Sequence, residues 1–374
     1  MDRNQKIGDF LPAKASKTID WVLYLLVLLL IIVGILVIYS ISYDSSGGNI
    51  FRDQIIFAII GTIMMVIFTF LDYRSLKGLS IYLYLIGLVL LVLVYIFGKV
   101  TGGASRWLDL KFIQLQPSEI FKFILIITMA SYLSNHQRDF SFRHFIASLL
   151  IIVMPIILVL IQPDFGTALI LLIIGLSMLL ASQIKKIYLF LLVILIAIFT
   201  PLTWFFILKD YQKIRLITFL NPKDDPFGAG YNVLQSSITV GSGMLYGRGF
   251  GKGFQSQLKF LPASHTDFIF AVFAEEFGFI GALIIILFFV ILVIKIIQIA
   301  KIAADNFGML FTVGVATLFI FQVLINIGMN IGIMPVTGIP LPFISSGGSA
   351  LITNMVLIGI LQSIIIRHKK LNFG

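Results

Sequence analysis

The chain has 374 residues, 59% of them hydrophobic and 12% charged, with a mean hydropathy of +1.06 and a formal net charge of +10. That is too apolar for a soluble globule, and the apolar runs repeatedly reach the roughly 20 residues needed to span a bilayer. There is no cysteine, which excludes disulfides, thiolate metal sites and cysteine nucleophiles.

In chain order, hydropathy predicts about ten spans, at roughly 18–41, 54–71, 80–98, 119–134, 145–162, 164–182, 187–207, 268–297, 308–330 and 348–366. The expected fold class is all-α, a polytopic integral membrane protein. The first span is long, follows a basic tail and lacks a small-residue cleavage site, so it reads as a signal anchor. Basic residues set the orientation. Arg3, Lys6, Lys14 and Lys17 precede the first span, Arg367, Lys369 and Lys370 follow the last, and alternate short loops carry Arg74, Lys77, Arg138, Arg143, Lys185, Lys186, Lys295 and Lys301. The positive-inside rule then places both termini in the cytoplasm. Loops at about 99–118 and 208–267, the second between spans 7 and 8, are extracytoplasmic, and residues 1–374 read as a single transmembrane domain.

This topology restricts function. No GxxxxGK[ST] phosphate loop occurs and the cytoplasmic connections are short, so the chain does not hydrolyse ATP by itself. Anionic membrane lipid accounts for the inner positive charge, and no nucleic-acid partner is expected.

The most informative stretch is LPASHTDFIFAVFAEEFGFIG at 261–281. His265, Thr266 and Asp267 lead directly into an apolar run that carries Glu275 and Glu276, about 12–14 Å deeper by helix rise. Ionisable groups at membrane depth are functional candidates, and Asp267 is the centre of the expected site. Ahead of it, Lys213, Arg215, Lys223, Arg248, Lys252 and Lys259 stand beside Gly241, Gly243, Gly247, Gly249, Gly251 and Gly253. Such a loop either needs glycine for its turns or brings amides and cations to a diphosphate.

In the other outer loop, Arg106 and Lys111 precede Pro117 and Ser118, which read as a helix start with Ser118 as cap. Glu119 and Lys122 then share one helix face, as a structural ion pair or as the charged wall of a wet cavity. Gln162 and Asp164 lie at a tight outer hairpin, facing the same cavity or capping a turn. Gln322, Asn326 and Asn330 form a polar ridge on the ninth span, suited to interhelical hydrogen bonding. The following segment is rich in proline, glycine and serine, and irregular backbone at that depth must be buried in protein or line a cavity. His265 beside one aspartate is not a zinc site, and no protein-ligated metal is expected.

Four of these stretches, QPSEIFK at 116–122, QPDFGTA at 162–168, LPASHTDFIFAVFAEEFGFIG at 261–281 and PVTGIPLPFISSGGS at 335–349, resemble the SEDS proteins (shape, elongation, division and sporulation) in order and spacing. GMNIGIMPVTGIPLPF resembles the rod-shape (RodA) branch. Two positions depart from the family pattern: Ala263 stands where many members have an acid, and Ser346 where many have tyrosine.

The resemblance implies a peptidoglycan glycosyltransferase that polymerises lipid II during cell elongation. Its expected partners are a class B penicillin-binding protein, the growing glycan strand, membrane lipids and other elongation-machinery proteins. It places the essential aspartate on Asp267 and the charged pair of the fourth span on Glu119 and Lys122; attack by a sugar hydroxyl needs one general base, and Asp267 is the residue expected to supply it. The candidate substrate-binding residues are then Arg106, Lys111, Glu119, Lys122, Gln162, Asp164, Arg248, Lys252, His265, Thr266, Ser345 and Ser346. A Mg²⁺ or Mn²⁺ ion held with the substrate diphosphate fits this chemistry. Two other classes remain open at this stage, a lipid II flippase and a noncatalytic scaffold of the elongation machinery.

Overall fold

The computed structural model describes residues 19–371, apart from 43–47, 102–103, 110–113, 138, 183, 208–212, 215–216, 220–221, 223–224, 226–227, 229 and 259. Arg3, Lys6, Lys14, Lys17 and Arg138, used above for orientation, lie outside the described residues, as do Lys111, Arg215, Lys223 and Lys259.

Among the described residues, ten long helices stand where the apolar runs predict them: α1 (Trp21–Ser42), α2 (Gly48–Phe70), α3 (Ser75–Phe97), α4 (Pro117–His136), α5 (Phe142–Ile161), α6 (Phe165–Ala181), α7 (Lys186–Leu202), α10 (Ile269–Ile302), α11 (Asn306–Asn330) and α12 (Gly348–Leu371). Among the described residues, the shorter helices α8 (Tyr231–Ser242) and α9 (Phe254–Gln257) lie inside the long connection that ends at Asp267. Seven of the long helices are long and apolar enough to cross a membrane. Of the other three, α6 and α7 have 17 residues each, and α4 carries Glu119 and Lys122. A small antiparallel sheet, β1 (Lys99–Thr101), β2 (Ala104–Asp109) and β3 (Gln114–Leu115), adds to the expected helices between α3 and α4.

The last helix is central: within its span 94% of residues are buried in the protein, against 22% for α3, which faces outward. In lipid there is little hydrophobic drive between helices, so close backbone approach matters. Small residues provide it. A Cβ at Gly34 of α1 would lie 2.6 Å from the Ile344 carbonyl, and one at Gly359 of α12 would strike the Met65 carbonyl of α2.

Ion pairs tie one end of the bundle together. Lys295 meets Asp20 at 3.1 Å, Arg74 meets Asp305 at 3.0 Å and Arg367 meets Asp72 at 3.2 Å, joining the start of α1, the end of α10, the turns after α2 and α10, and the end of α12. The Tyr73 hydroxyl adds a 2.7 Å hydrogen bond to Asp305. Burial, then that bond, pushes the Tyr73 phenol up to about 12. Partly exposed pairs of this kind contribute roughly 0–1 kcal/mol each. The opposite end holds Asp267 and the polar motifs.

Candidate active site

Asp267 closes a turn that begins at Ala263. The amides of Thr266 and Phe268 both donate to the Ala263 carbonyl, at 3.1 and 3.3 Å. Ala263 itself has φ +50°, a left-handed conformation that a non-glycine residue adopts at some cost. The serine-rich segment before α12 holds this turn. Ser345 Oγ donates to the Thr266 carbonyl at 2.7 Å and the Ser346 amide to the His265 carbonyl at 2.9 Å. Ser345 Oγ also accepts from the Leu341 amide at 2.8 Å, so one hydroxyl closes its own loop and fastens the neighbouring one.

From α11, Asn326 and Asn330 both donate to the Asp267 carbonyl. The predicted polar ridge is therefore an interhelical hydrogen-bonding device at these two positions. Gln322, two turns away from Asn330 and fully buried, makes no such bond with the described residues.

The other motifs reach the same place. A Cβ at Gly166, in QPDFGTA, would stand 2.5 Å from the Thr337 carbonyl, so that motif packs directly on PVTGIP. Asp164 caps α6, accepting from the Thr167 amide at 3.2 Å and its hydroxyl at 2.9 Å. Arg106 of β2 lies 3.9 Å from the Asp164 carboxylate and donates to the carbonyls of Gln162 and Pro163. Gln162, also buried, donates to the Leu91 carbonyl of α3 at 2.9 Å. Ser349 at the start of α12 accepts from the Gln116 amide at 3.1 Å and donates to the Gln114 carbonyl at 3.3 Å, which joins the serine loop to the entry of α4.

Helix α4 starts at Pro117 with Gln116 at the cap position, so Ser118 sits inside the first turn and is not the expected cap. Proline at the first helical position needs no amide partner. Within this helix Lys122 Nζ pairs with Oε2 of Glu119, three residues before it, at 2.7 Å, with both side chains almost sealed.

The glycine loop does something the sequence does not announce. Helix α10 is interrupted at Gly278, whose φ of +68° and ψ of −168° are open only to glycine. The interruption frees backbone groups, and residues 243–249 take them up. The Arg248 and Gly249 amides donate to the carbonyls of Glu275 and Glu276, and the Phe279 and Ile280 amides donate to the carbonyls of Met244 and Leu245. Glu275 then accepts from the Gln255 and Ser256 amides at 2.8 and 3.1 Å, taking the free N–H groups at the start of α9. Glu276 accepts from Ser40 of α1 at 2.6 Å and from the Gly251 amide at 3.2 Å. The two acids thus fasten the loop to α10 and α1. Arg248 Nε donates back to the Ser242 carbonyl at 3.1 Å, and Lys252 is exposed.

His265 and Thr266 are half-buried beside Asp267, and burial lowers the His265 imidazole below its ordinary value of 6.5. Among the described residues no group of three metal-ligating side chains occurs. Sequence reasoning did not single out Ser40, Ser236, Thr167 and Ser349. Buried hydroxyls in apolar runs are the signal available for such residues, because each must find an acceptor.

Three separated sequence motifs therefore meet the 335–349 segment, which borders Asp267 at one end of a helical membrane bundle. The profile of the FtsW/RodA/SpoVE family, described as "Cell cycle protein", matches residues 20–370. The chain is 40% identical over 354 residues to the peptidoglycan glycosyltransferase MrdB of Escherichia coli (strain K12), covering 95% of each protein. It is 32% identical to the peptidoglycan glycosyltransferase RodA of Treponema pallidum, covering 93% of this chain and 98% of that one. It is similar to a solved chain from work on structural coordination of polymerization and crosslinking by a peptidoglycan synthase complex, with a TM-score of 0.79, 28% identity and coverage of 94% and 98%. The crystal structure of the Thermus thermophilus rod shape determining protein RodA is also similar, with a TM-score of 0.70, 28% identity and coverage of 94% and 97%. On sequence and on fold, the chain belongs to the FtsW/RodA/SpoVE family of multi-pass membrane proteins.

Proposed function

We propose that this chain is a peptidoglycan glycosyltransferase that polymerises lipid II into β-1,4-linked glycan strands at the outer face of the bacterial cytoplasmic membrane during cell elongation. Asp267 is its general base. The observation that carries this reading is the meeting of the other three motifs on the 335–349 segment, which fastens the turn that ends in Asp267. The activity by which the MrdB and RodA relatives are named supports it.

In this reaction the 4-hydroxyl of an acceptor N-acetylglucosamine attacks the anomeric carbon of a lipid-linked donor. A C–O bond forms as the bond to the diphosphate breaks. An α-linked donor gives a β-linked product, so a single in-line displacement inverts the centre. Asp267 takes the hydroxyl proton, an effect worth roughly 10²–10⁴-fold in rate. Undecaprenyl diphosphate leaves with the bonding pair and needs counter-charge in place of a proton. Arg106, Lys111, Lys122, Arg248 and Lys252 are the cations proposed to provide it, and Glu119, Gln162, Asp164, His265, Thr266, Ser345 and Ser346 complete the substrate-binding set. A Mg²⁺ or Mn²⁺ ion, if required, comes with the diphosphate and would add further charge neutralisation. Both substrates hang on polyprenyl chains, so a site at the membrane boundary turns their encounter into an oriented one.

A class B penicillin-binding protein is the proposed transpeptidase partner, and the similarity to a chain of a peptidoglycan synthase complex supports that pairing. The test is polymerisation of labelled lipid II by the purified protein, alone and with that partner, on a gel that resolves glycan strands. Ladders of strands are the expected result. No product with the partner present, alongside lipid II translocation in vesicles, would replace this reading with a flippase.

A further inference from the structure

Asp267 is held through its backbone from a neighbouring helix. Asn326 Nδ2 and Asn330 Nδ2 donate to the same Asp267 carbonyl, at 3.0 and 3.1 Å. Asn326 Nδ2 also donates to the Ile339 carbonyl at 2.8 Å. Asn330 Oδ1 accepts from the Ala271 amide at 3.1 Å, a first-turn donor of α10. The Asn330 main-chain carbonyl accepts from Ser236 of α8 at 2.8 Å. Both asparagine side chains are fully buried.

A carbonyl that accepts two amide hydrogens has both lone pairs engaged, so the peptide between Asp267 and Phe268 is restrained from two directions. Asn326 simultaneously fixes Ile339. The adjacent residue is Gly338, where a Cβ would lie 3.5 Å from Asp267 Oδ2. One amide therefore sets both the peptide from which the carboxylate projects and the backbone beside which it lies.

We propose that Asn326 and Asn330 are positioning residues for Asp267, acting on the reaction through the orientation of its carboxylate and touching no substrate. This rests on the general-base reading of Asp267. A displacement of about 1 Å at a reacting group can cost about 10²-fold in rate, which is the scale expected when the clamp is removed.

The test compares Asn326→Ala, Asn330→Ala, Asn326→Ser and Asp267→Asn by thermal melting, lipid II binding, and initial polymerisation rate against lipid II concentration. Asn326→Ala is expected to lower kcat about 10- to 100-fold at unchanged KM and unchanged lipid II binding. Asn326→Ser, which keeps one donor, should lie between it and wild type. Wild-type kcat with a lowered melting temperature would overturn the proposal in favour of packing alone, and a raised KM at unchanged kcat would make Asn326 a substrate contact. If Asn326→Ala does not fold, the outcome is decided by Asn326→Ser, and a wild-type kcat there overturns the proposal. A wild-type rate in Asp267→Asn is a different failure, since it removes the base reading on which the clamp depends.

Discussion

Lys122 Nζ stands 2.7 Å from Glu119 Oε2, one helical turn apart on α4, with the two side chains only 3% and 4% exposed. Removing one member of a pair buried this deeply costs about 3–5 kcal/mol, because the other charge is left without its partner, whereas replacing both by apolar groups is often close to neutral. Lys122→Ala is therefore expected to lower stability by about 3–5 kcal/mol, and Lys122→Met with Glu119→Leu to recover most of that loss. Under the proposed function the recovery does not extend to activity. Thermal melting and strand synthesis, measured on the same preparations, separate the two roles.

The interruption of α10 gives a second expectation. A Cβ at Gly278 would sit 2.6 Å from the Leu245 carbonyl and would also need a positive φ. Gly278→Ala should therefore push residues 243–249 off the helix and expose the four backbone groups they satisfy. The expected loss is several kcal/mol, on the scale of unpaired buried polar groups. Limited proteolysis between residues 243 and 258 should become faster, and wild-type resistance would contradict the role given to the loop.

Gly166→Ala and Ser345→Ala test the contacts that join the motifs. The first places a methyl group 2.5 Å from the Thr337 carbonyl, and the second removes a donor from the Thr266 carbonyl. Ser345→Ala should cost roughly 1–3 kcal/mol, since it leaves a buried acceptor unpaired. Both should reduce turnover more than lipid II binding. Equal turnover in either variant would mean that the position of the 335–345 segment does not matter to the reaction.

Hydropathy is sufficient to locate the long helices because each must bury backbone polar groups in its own ladder across the bilayer. The span predicted at 308–330 is the helix Asn306–Asn330, and that predicted at 268–297 is the helix Ile269–Ile302. The break at Gly278 is not legible this way, because a glycine in an apolar run looks the same whether its φ is negative or positive. Glu275 and Glu276 stand out in the sequence as acids in an apolar run, but their partners lie at Gln255, Ser256, Gly251 and Ser40, and only the fold brings these together. The aspartate, the α4 charge pair and the hairpin acid are visible from residue type and place alone. That Asn326 and Asn330 meet the Asp267 carbonyl is not, since a polar ridge on a helix does not say which backbone group it serves.

His265 gives a pH dependence. Burial lowers its imidazole from the ordinary value of 6.5, so the folded protein holds the ring neutral while the unfolded chain protonates it as pH falls. Its contribution to stability is complete above 6.5 and is lost as pH falls from there through the lower folded value. The melting temperature of the wild type should therefore drop over that interval by more than that of His265→Gln. Identical pH profiles for the two proteins would show that the ring's protonation is not linked to folding.

The central claim is tested most directly by comparing wild type with Asp267→Asn in lipid II polymerisation, with melting temperature and lipid II binding measured on both. The substitution keeps the size and hydrogen-bonding reach of the side chain and removes its basicity. Glycan ladders from wild type and none from the variant, at equal stability and equal binding, are the expected result. Ladders of equal length and rate from Asp267→Asn would contradict the assignment of Asp267 as the base and move the chemistry elsewhere in the site.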